Sequence, residues 1–223
     1  MALVLRRVLP DEPVREHMSY GALVASTFAL LVNSSSLRRQ AWLGAVVFAA
    51  FNVMWTTLSF HLSAPPFSYP NGVIGLFGLF GVAGVVAANA TGHVADKQRS
   101  GLAAVVAALL VTISFVILSL GRNNFWWLAL GIIVLDFGVM GTQITSQSVI
   151  YALMPEARSR INSVYMVCCF VGASAGSYAS GQLYAAYGWS GVCWLGVALG
   201  LGLVVPALVW RTPPASPALS GLV

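Results

Sequence analysis

The sequence has very little charge and no pattern of cysteine and histidine that would bind a metal. Charged residues make up 8% of its 223 residues, against roughly 25% in a soluble domain. Cys168, Cys169 and Cys193 all lie in apolar segments, without a CxxC or Cys/His spacing. Water is therefore not the main solvent of this protein, and we expect no metal site and no cofactor.

The sequence also has no signal-peptide pattern and no concentrated basic face, so we expect neither a removable leader nor nucleic-acid binding. Met1–Pro10 contains Arg6 and Arg7 but no apolar stretch followed by a small-residue cleavage site, so we expect no signal peptide. The net charge is +5, but the basic residues form short tracts between apolar stretches rather than one basic face or arm. We interpret these tracts as signals of membrane topology, and we expect no nucleic-acid partner.

The sequence is rich in long apolar stretches. Hydrophobic residues make up 58% of the chain, and the mean hydropathy is +0.84. Stretches of about 20 apolar residues can cross a bilayer, and turn formers and charges separate six of them here. The predicted spans are Ala41–Phe60, Gly72–Gly92, Gly101–Leu120, Phe125–Leu153, Ile161–Ala186 and Trp189–Trp210. The sequence thus predicts an all-α membrane protein with six transmembrane helices in residues 41–210.

The lysines and arginines of the short loops predict the orientation, because these residues are the hardest to translocate. Of the 11 lysines and arginines, only Arg122 lies on the side of the membrane opposite to the N-terminus. This asymmetry predicts that both termini are cytoplasmic. Residues 1–40 then form a cytoplasmic segment, and residues 211–223, rich in Pro, Ala and Ser, form a disordered cytoplasmic tail.

The cytoplasmic segment contains one shorter apolar stretch, Ser19–Val32. It is too short to cross the bilayer. We expect a helix that lies at the cytoplasmic interface, with an additional or re-entrant membrane segment as the alternative.

A polar stripe on the fourth span is the first candidate for a functional site. Asp136 is the only charged residue deep in any span, and a carboxylate at mid-bilayer costs about 2.5–3.5 kcal/mol on insertion scales. A spacing of i, i+4, i+7, i+11 places four residues on one narrow helical face. These residues are Asp136, Met140, Gln143 and Gln147. The stripe predicts either the lining of a water-filled path or interhelical hydrogen bonds that hold helices together.

The first span carries a similar stripe. Phe48, Asn52, Trp55 and Ser59 have the same spacing, and Thr56 lies beside them. The two stripes belong to the first helices of two possible three-helix units, 41–120 and 125–210, and an odd number of helices per unit makes the second unit inverted. Inverted repeats with polar groups near the midplane are a transporter architecture.

Two faces of small residues predict close helix packing. Gly172, Gly176 and Ser180 follow each other at intervals of four on the fifth span, and Gly84, Ala88 and Gly92 do so on the second. Gly172–Gly176 also fits the GxSxG spacing of a hydrolase nucleophile. A serine nucleophile needs a base within hydrogen-bond reach, and no histidine follows Ser174 in the chain. We therefore expect that this protein is not an enzyme.

The loops resemble those of the major facilitator superfamily. The segment from Gly92 to Gly101 resembles the GxxxD(R/K)xGR loop of that family, although Arg99 stands where the family usually has glycine. Further resemblance lies in residues 37–41, 74–79 and 155–162. The residues that carry the cytoplasmic loop motifs are Gly92, Asp96, Lys97, Arg99, Arg158 and Arg160. Together the motifs resemble the C-terminal half of a bacterial drug- or sugar-efflux type member, over about Leu9–Trp210.

The resemblance implies a function and partners. It implies half of a twelve-helix carrier in the bacterial inner membrane that moves a small organic solute, driven by protons, with the polar stripes lining the cavity between halves. Asp96 would help to latch the cytoplasmic side, or only cap a helix. The partners would be the lipid bilayer and an N-terminal six-helix half or a second copy. The alternatives are a non-transporting remnant of a transporter gene and a six-helix membrane protein that binds a partner.

Overall fold

The computed structural model describes residues 29–82, 100–153 and 158–209, which are almost entirely helical. The long helices are α1 (Ser35–Ser63), α3 (Ser100–Leu120), α4 (Phe125–Leu153) and α5 (Arg158–Val209). A shorter apolar helix, α2 (Asn71–Val82), contains a turn at Phe77. In this described part of the chain, four helices are long and apolar enough to cross a membrane.

Helix α1 begins at Ser35, earlier than the predicted span Ala41–Phe60. The reason is a side-chain cap, because the Ser34 hydroxyl accepts a hydrogen bond from the Leu37 N–H at 3.2 Å. Arg38 and Arg39 therefore lie on the first turns of the helix rather than in a loop. After Ser63 the two prolines Pro65 and Pro66 prevent the helix from continuing.

Helix α5 has 52 residues and covers the last two predicted spans as far as Val209. A straight helix of that length would measure about 78 Å, far more than the roughly 30 Å of hydrocarbon in a bilayer. The backbone is not helical at Gly188, where φ is 61° and ψ is −154°. Glycine suits this position because a positive φ brings no side-chain clash. We name the two parts α5a (158–187) and α5b (189–209).

The close contacts of α5 show that the chain reverses direction at Gly188. Gly172 and then Gly176 of α5a lie against Ala45 and then Ala49 of α1, so these two helices run parallel. Gly196 and then Gly200 of α5b lie against Phe115 and then Thr112 of α3, so that pair is antiparallel. The predicted spans Ile161–Ala186 and Trp189–Trp210 thus correspond to two helices of opposite direction.

The predicted spans Gly101–Leu120 and Phe125–Leu153 coincide with α3 and α4 to within a residue. Between them lies a 3₁₀ turn, Gly121–Asn123, and the Asn124 side chain accepts a hydrogen bond from the Trp126 N–H at 2.9 Å. The second predicted span is described only as far as Val82. Its remainder, and residues 19–28 of the predicted interfacial helix, lie outside the described residues.

The ends of α1 and α3 meet the beginning of α5b at one end of the bundle. The His61 ring is stacked on the Trp189 indole, and its Nε2–H donates to the Arg122 carbonyl oxygen at 3.1 Å. The Trp189 indole N–H donates to the Leu118 carbonyl oxygen at 2.9 Å. The segment after α1, the turn after α3 and the break in α5 therefore share one end, which we call the aromatic end. Arg38 and Arg158 begin helices that run toward it.

Candidate functional site

Asp136 lies inside the helix bundle rather than on its surface. Its side chain is 2% exposed, and it is the only carboxylate among residues 29–82, 100–153 and 158–209. Neither of its oxygens has a hydrogen-bond partner within those residues. Nine in ten or more buried polar groups in proteins have such a partner, so this carboxylate stands apart from the rest of the interior.

Three helices meet at the Asp136 carboxylate. A Cβ atom built on Gly81 of α2 would lie 2.7 Å from Asp136 Oδ2 and 3.1 Å from Trp55 Cζ2. The Trp55 indole of α1 lies within interaction range of the carboxylate, although its own N–H is buried and does not meet hydrogen-bond geometry with any described group. The absence of a side chain on Gly81 leaves the space in which the two side chains approach each other. We call Trp55, Gly81 and Asp136 the polar centre.

Gly81 was missed by the sequence reasoning, which considered only polar side chains. A signal was present, because glycine occurs at every third residue from Gly72 to Gly84. The pattern alone does not distinguish one glycine from another, however. Gly72, Gly75 and Gly78 have nothing within 4 Å of an added Cβ, so only the packing of α2 against α1 and α4 marks Gly81.

The other members of the stripe on α4 are more open than Asp136. Met140, Gln143 and Gln147 are all partly exposed. Going along α4 away from the aromatic end, the stripe thus changes from a buried carboxylate to polar side chains that reach the surface of the described bundle. This is the arrangement of a polar face that leads from the surface to an interior charge.

The polar residues on and beside the stripe of α1 make two kinds of contact, within the helix and to another helix. The Asn52 amide donates to the Phe48 carbonyl oxygen at 3.0 Å within the helix, and Ser59 is exposed near the helix end. The hydroxyls of Thr56 and Ser177 lie 2.9 Å apart and link α1 to α5a. Thr56 therefore contributes the kind of interhelical hydrogen bond that the alternative interpretation of these stripes predicted.

The small-residue face of α5a packs closely against α1, which confirms its predicted role. A Cβ atom on Gly172 would lie 2.1 Å from the Ala45 carbonyl oxygen, and one on Gly176 would lie 2.5 Å from that of Ala49. Contacts this short are possible only for glycine. The matching face of the second span, Ala88 and its neighbours at positions 84 and 92, lies outside the described residues.

The cytoplasmic loop motif is described only in part. Gly92, Asp96, Lys97 and Arg99 lie outside the described residues. Arg158 is exposed at the start of α5a and Arg160, two residues further on, is partly buried. Next to them the Tyr151 hydroxyl donates to Asn162 Oδ1 at 2.9 Å, which ties the end of α4 to the start of α5a.

The arrangement offers no catalytic or metal chemistry among the described residues. The Ser174 hydroxyl is exposed and donates to the Phe170 carbonyl oxygen at 2.9 Å, as serines in membrane helices commonly do. No group of three or more histidine, cysteine, aspartate or glutamate side chains in the described residues could hold a metal ion. The polar centre can instead bind a polar group, or bind and release a proton, inside an apolar bundle.

Apolar helices of membrane-spanning length that enclose a buried carboxylate indicate a multi-pass membrane protein with a functional site inside its bundle. Comparison with known sequences agrees with this class, because residues 1–177 match the Major Facilitator Superfamily. The chain belongs to this superfamily, as its loops had indicated, and it is a transporter-family protein rather than an enzyme.

Two relatives of this chain match it over the same number of residues. "Uncharacterized transporter YgaY" of Escherichia coli O157:H7 is 43% identical over 210 residues, which is 94% of this chain and 52% of the relative. "Putative uncharacterized transporter YgaY" of Escherichia coli strain K12 matches with the same identity and coverage. The chain therefore spans about half the length of these relatives.

Proposed function

We propose that this chain is the C-terminal half of a secondary active transporter that exports a small organic solute in exchange for protons. The observation that carries the proposal is the polar centre, a buried carboxylate without a described hydrogen-bond partner where three apolar helices meet. A carboxylate is costly in such surroundings, and carboxylates inside membrane bundles mark solute and proton pathways. Family membership supports transport in general.

The route to the polar centre follows the two stripes. Gln143 and Gln147 are partly exposed on the face of α4 that leads to Asp136. Asn52 and Trp55 are partly exposed on α1, and α1 touches the same carboxylate through Trp55. In our proposal the solute contacts the amides and Ser59, while Asp136 exchanges the proton. The carboxyl group can do so because it has no fixed ion-pair partner among the described residues.

The proposed topology has six transmembrane helices arranged as two inverted three-helix repeats, with both termini in the cytoplasm. The reversal of the chain at Gly188 supports two helices rather than one in Arg158–Val209. The aromatic end contains Arg122 alone of the described lysines and arginines, and the other end contains Arg38, Arg39, Arg158 and Arg160. By the positive-inside rule the aromatic end faces outward, in the inner membrane of a bacterium.

A partner completes the proposed carrier. The chain spans about half the length of its relatives, so a second six-helix unit would cover the partly exposed stripes. The two halves of such carriers are related by an axis along the membrane normal. We favour a dedicated N-terminal half over a second copy, because two copies would place two carboxylates in one cavity and like charges repel.

The experiment measures transport and water access separately. Vesicles that contain this chain alone, or together with a matching N-terminal half, are tested for movement of candidate solutes with and without a proton gradient. Asp136→Asn should abolish proton-dependent transport while the amount of inserted protein stays the same. In the same protein, cysteines at positions 143 and 147 should react with a water-soluble reagent, whereas cysteines at the fully buried Ile132 and Leu135 should not.

The opposite outcomes point to the alternatives. Equal protection at all four positions, with a loss of inserted protein in Asp136→Asn, would mean that the stripe only holds helices together. If no solute moves even with the matching half present, the chain is a non-transporting remnant or a protein that binds a membrane partner.

A further inference from the structure

A groove of about 800 Å³ lies between the beginning of α1 and α5a, and neither Asp136 nor Trp55 lines it. Its volume falls within the range of 300–1,000 Å³ that is typical of small-molecule sites. The residues that matter for its chemistry are Arg38, Arg39, Trp42, Ala45, Val167 and Val171. We call this feature the arginine groove.

The walls of the arginine groove are apolar and open to the outside of the described bundle. Trp42 is 54% exposed, Val167 is 53% exposed and Val171 is 66% exposed. In a membrane-spanning helix, exposed apolar side chains of this kind contact lipid chains unless another protein covers them. An open groove with such walls fits a flexible hydrocarbon chain better than a polar solute.

The mouth of the groove is positively charged. Arg38 is exposed, and one of its N–H groups donates to the Val32 carbonyl oxygen. A guanidinium has five N–H donors in a fork that suits a phosphate, so Arg38 can bind an anion without giving up this contact. Arg39, the next residue along the helix, is partly buried, lines the same groove and adds a second positive charge. No acidic residue lines the groove, since the only carboxylate in the described residues is Asp136 of the polar centre.

The distance along α1 from the arginines to the apolar wall of the groove fits within the hydrocarbon thickness of one leaflet of a bilayer. Ala45 lies about 10 Å from Arg38 along the helix axis, at 1.5 Å per residue. One leaflet contributes about 15 Å of the hydrocarbon core. Arginines at the headgroup level would therefore place the apolar wall beside the upper part of an acyl chain. Trp42, between the two, has the position in which membrane proteins favour tryptophan.

We propose that the arginine groove binds one anionic phospholipid from the leaflet on that side of the membrane. The phosphate lies between the guanidinium groups of Arg38 and Arg39, and one acyl chain runs along Trp42, Val167 and Val171. Basic pockets between transmembrane helices are suited to acidic headgroups. The proposal does not depend on transport, because it concerns only charge and shape at the beginning of α1 and α5a.

The first test is retention of lipid by the full chain, purified in mild detergent and measured by native mass spectrometry. Phosphatidylglycerol and phosphatidylcholine with identical acyl chains are compared. The wild-type chain should retain phosphatidylglycerol in preference, and each arginine removed in R38Q and R38Q/R39Q should weaken retention by about fivefold. R122Q, at the aromatic end, is the matched control and should change nothing. Equal retention of both lipids, or full retention by R38Q/R39Q, would overturn the proposal.

A second variant tests the acyl part and does not touch the charges. Val171→Trp fills the groove from an exposed position, so it should reduce retention of phosphatidylglycerol while Arg38 and Arg39 remain. Unchanged retention in this variant would mean that the arginines attract headgroups without a groove-bound chain, and the proposal would be wrong.

Fluorescence shows whether lipid or protein occupies the groove in a bilayer. Phosphatidylglycerol brominated on its chains should quench the wild-type chain more than Trp42→Phe, and brominated phosphatidylcholine should show a smaller difference. If Trp42→Phe leaves the quenching by both lipids unchanged, residues 1–28 or another protein surface cover the groove instead, which would also overturn the proposal.

Discussion

The imidazole of His61 and the indole of Trp189 are stacked with their ring centroids 4.2 Å apart and their planes 9° apart. This pair joins the end of α1 to the first residue of α5b. Each ring also bonds to the backbone at the end of α3, His61 to the Arg122 carbonyl and Trp189 to that of Leu118. Two side chains thus fix three helix ends to each other, which keeps the aromatic end closed while the opposite end carries the exposed arginines.

Replacing Trp189 by Phe should weaken this closure without emptying the core. The stacking is kept, but the buried Leu118 carbonyl loses its donor, which costs about 1–3 kcal/mol. We expect a lower midpoint of thermal unfolding in detergent for Trp189→Phe. Trp194→Phe is the control, because Trp194 is 74% exposed. Equal midpoints for the two variants would show that the indole N–H contributes nothing to stability.

Gly81→Ala should disturb the polar centre selectively. The added methyl group would lie 2.7 Å from Asp136 Oδ2 and 3.1 Å from the Trp55 ring, so one of the two side chains must move. Overpacking of this kind typically costs about 1–3 kcal/mol. Gly78→Ala is the matched control on the same helix, since nothing lies within 4 Å of its added methyl. It should be neutral or gain up to about 1 kcal/mol from helix propensity.

The readout for the Gly81 pair is thermal unfolding together with Trp fluorescence. Gly81→Ala should shift the tryptophan emission relative to the wild-type chain. If this shift disappears when Trp55 is also replaced by Phe, it reports the movement of Trp55. Identical behaviour of Gly81→Ala and Gly78→Ala would contradict the close approach of α2 to α1 and α4.

Gly172→Ala and Gly176→Ala should both separate α5a from α1. The obstacle in each case is backbone rather than a movable side chain, with the Ala45 and Ala49 carbonyl oxygens 2.1 and 2.5 Å from the added atom. We expect a loss of at least about 1–3 kcal/mol for each, because a helix must shift to relieve the clash. Gly181→Ala on the same helix meets nothing within 4 Å and serves as control. The measurement is unfolding by denaturant in mixed micelles, and equal midpoints for all three would argue against the packing.

Topology can be tested by labelling cysteines from each side of the membrane. Ser68 and Asn123 are exposed near the aromatic end, and Ser159 is exposed at the other. In a background without native cysteines, Ser68→Cys and Asn123→Cys should react with an impermeant reagent outside the cell. Ser159→Cys should react only after the membrane is opened. Labelling of position 68 from the cytoplasmic side alone would invert the topology and remove the six-span arrangement.

Most of the described helices could be predicted from the sequence because hydropathy acts over a whole span. Phe125–Leu153 was predicted with its observed bounds, since Asn124 and Pro155 in the sequence are clear breaking signals. The start of α1 was predicted too late, at Ala41 instead of Ser35. A single hydroxyl, that of Ser34, extends the helix past Arg38 and Arg39, and an average over apolar residues does not register such a cap.

The candidate site was only partly predictable, for a physical reason. The identity of Asp136 as an unusual group follows from its cost in lipid, which depends on one residue and its depth. Its neighbours depend on how helices pack, and the sequence reasoning paired Asp136 with residues of its own helix. The structure brings Trp55, a member of the predicted stripe on the first span, to Asp136, and it adds Gly81 from a third helix. Glycine has no chemistry of its own, so its role appears only when the atoms around it are known.

The break at Gly188 also has a consequence for how the chain is made. A single non-helical residue joins α5a to α5b, which leaves no polar segment between them that could be threaded through the membrane by itself. In the proposed topology, we therefore expect the two helices to enter the bilayer together, as a hairpin, during synthesis. Lengthening the turn with a few glycine and serine residues would release that requirement, and insertion of α5a would then no longer depend on α5b.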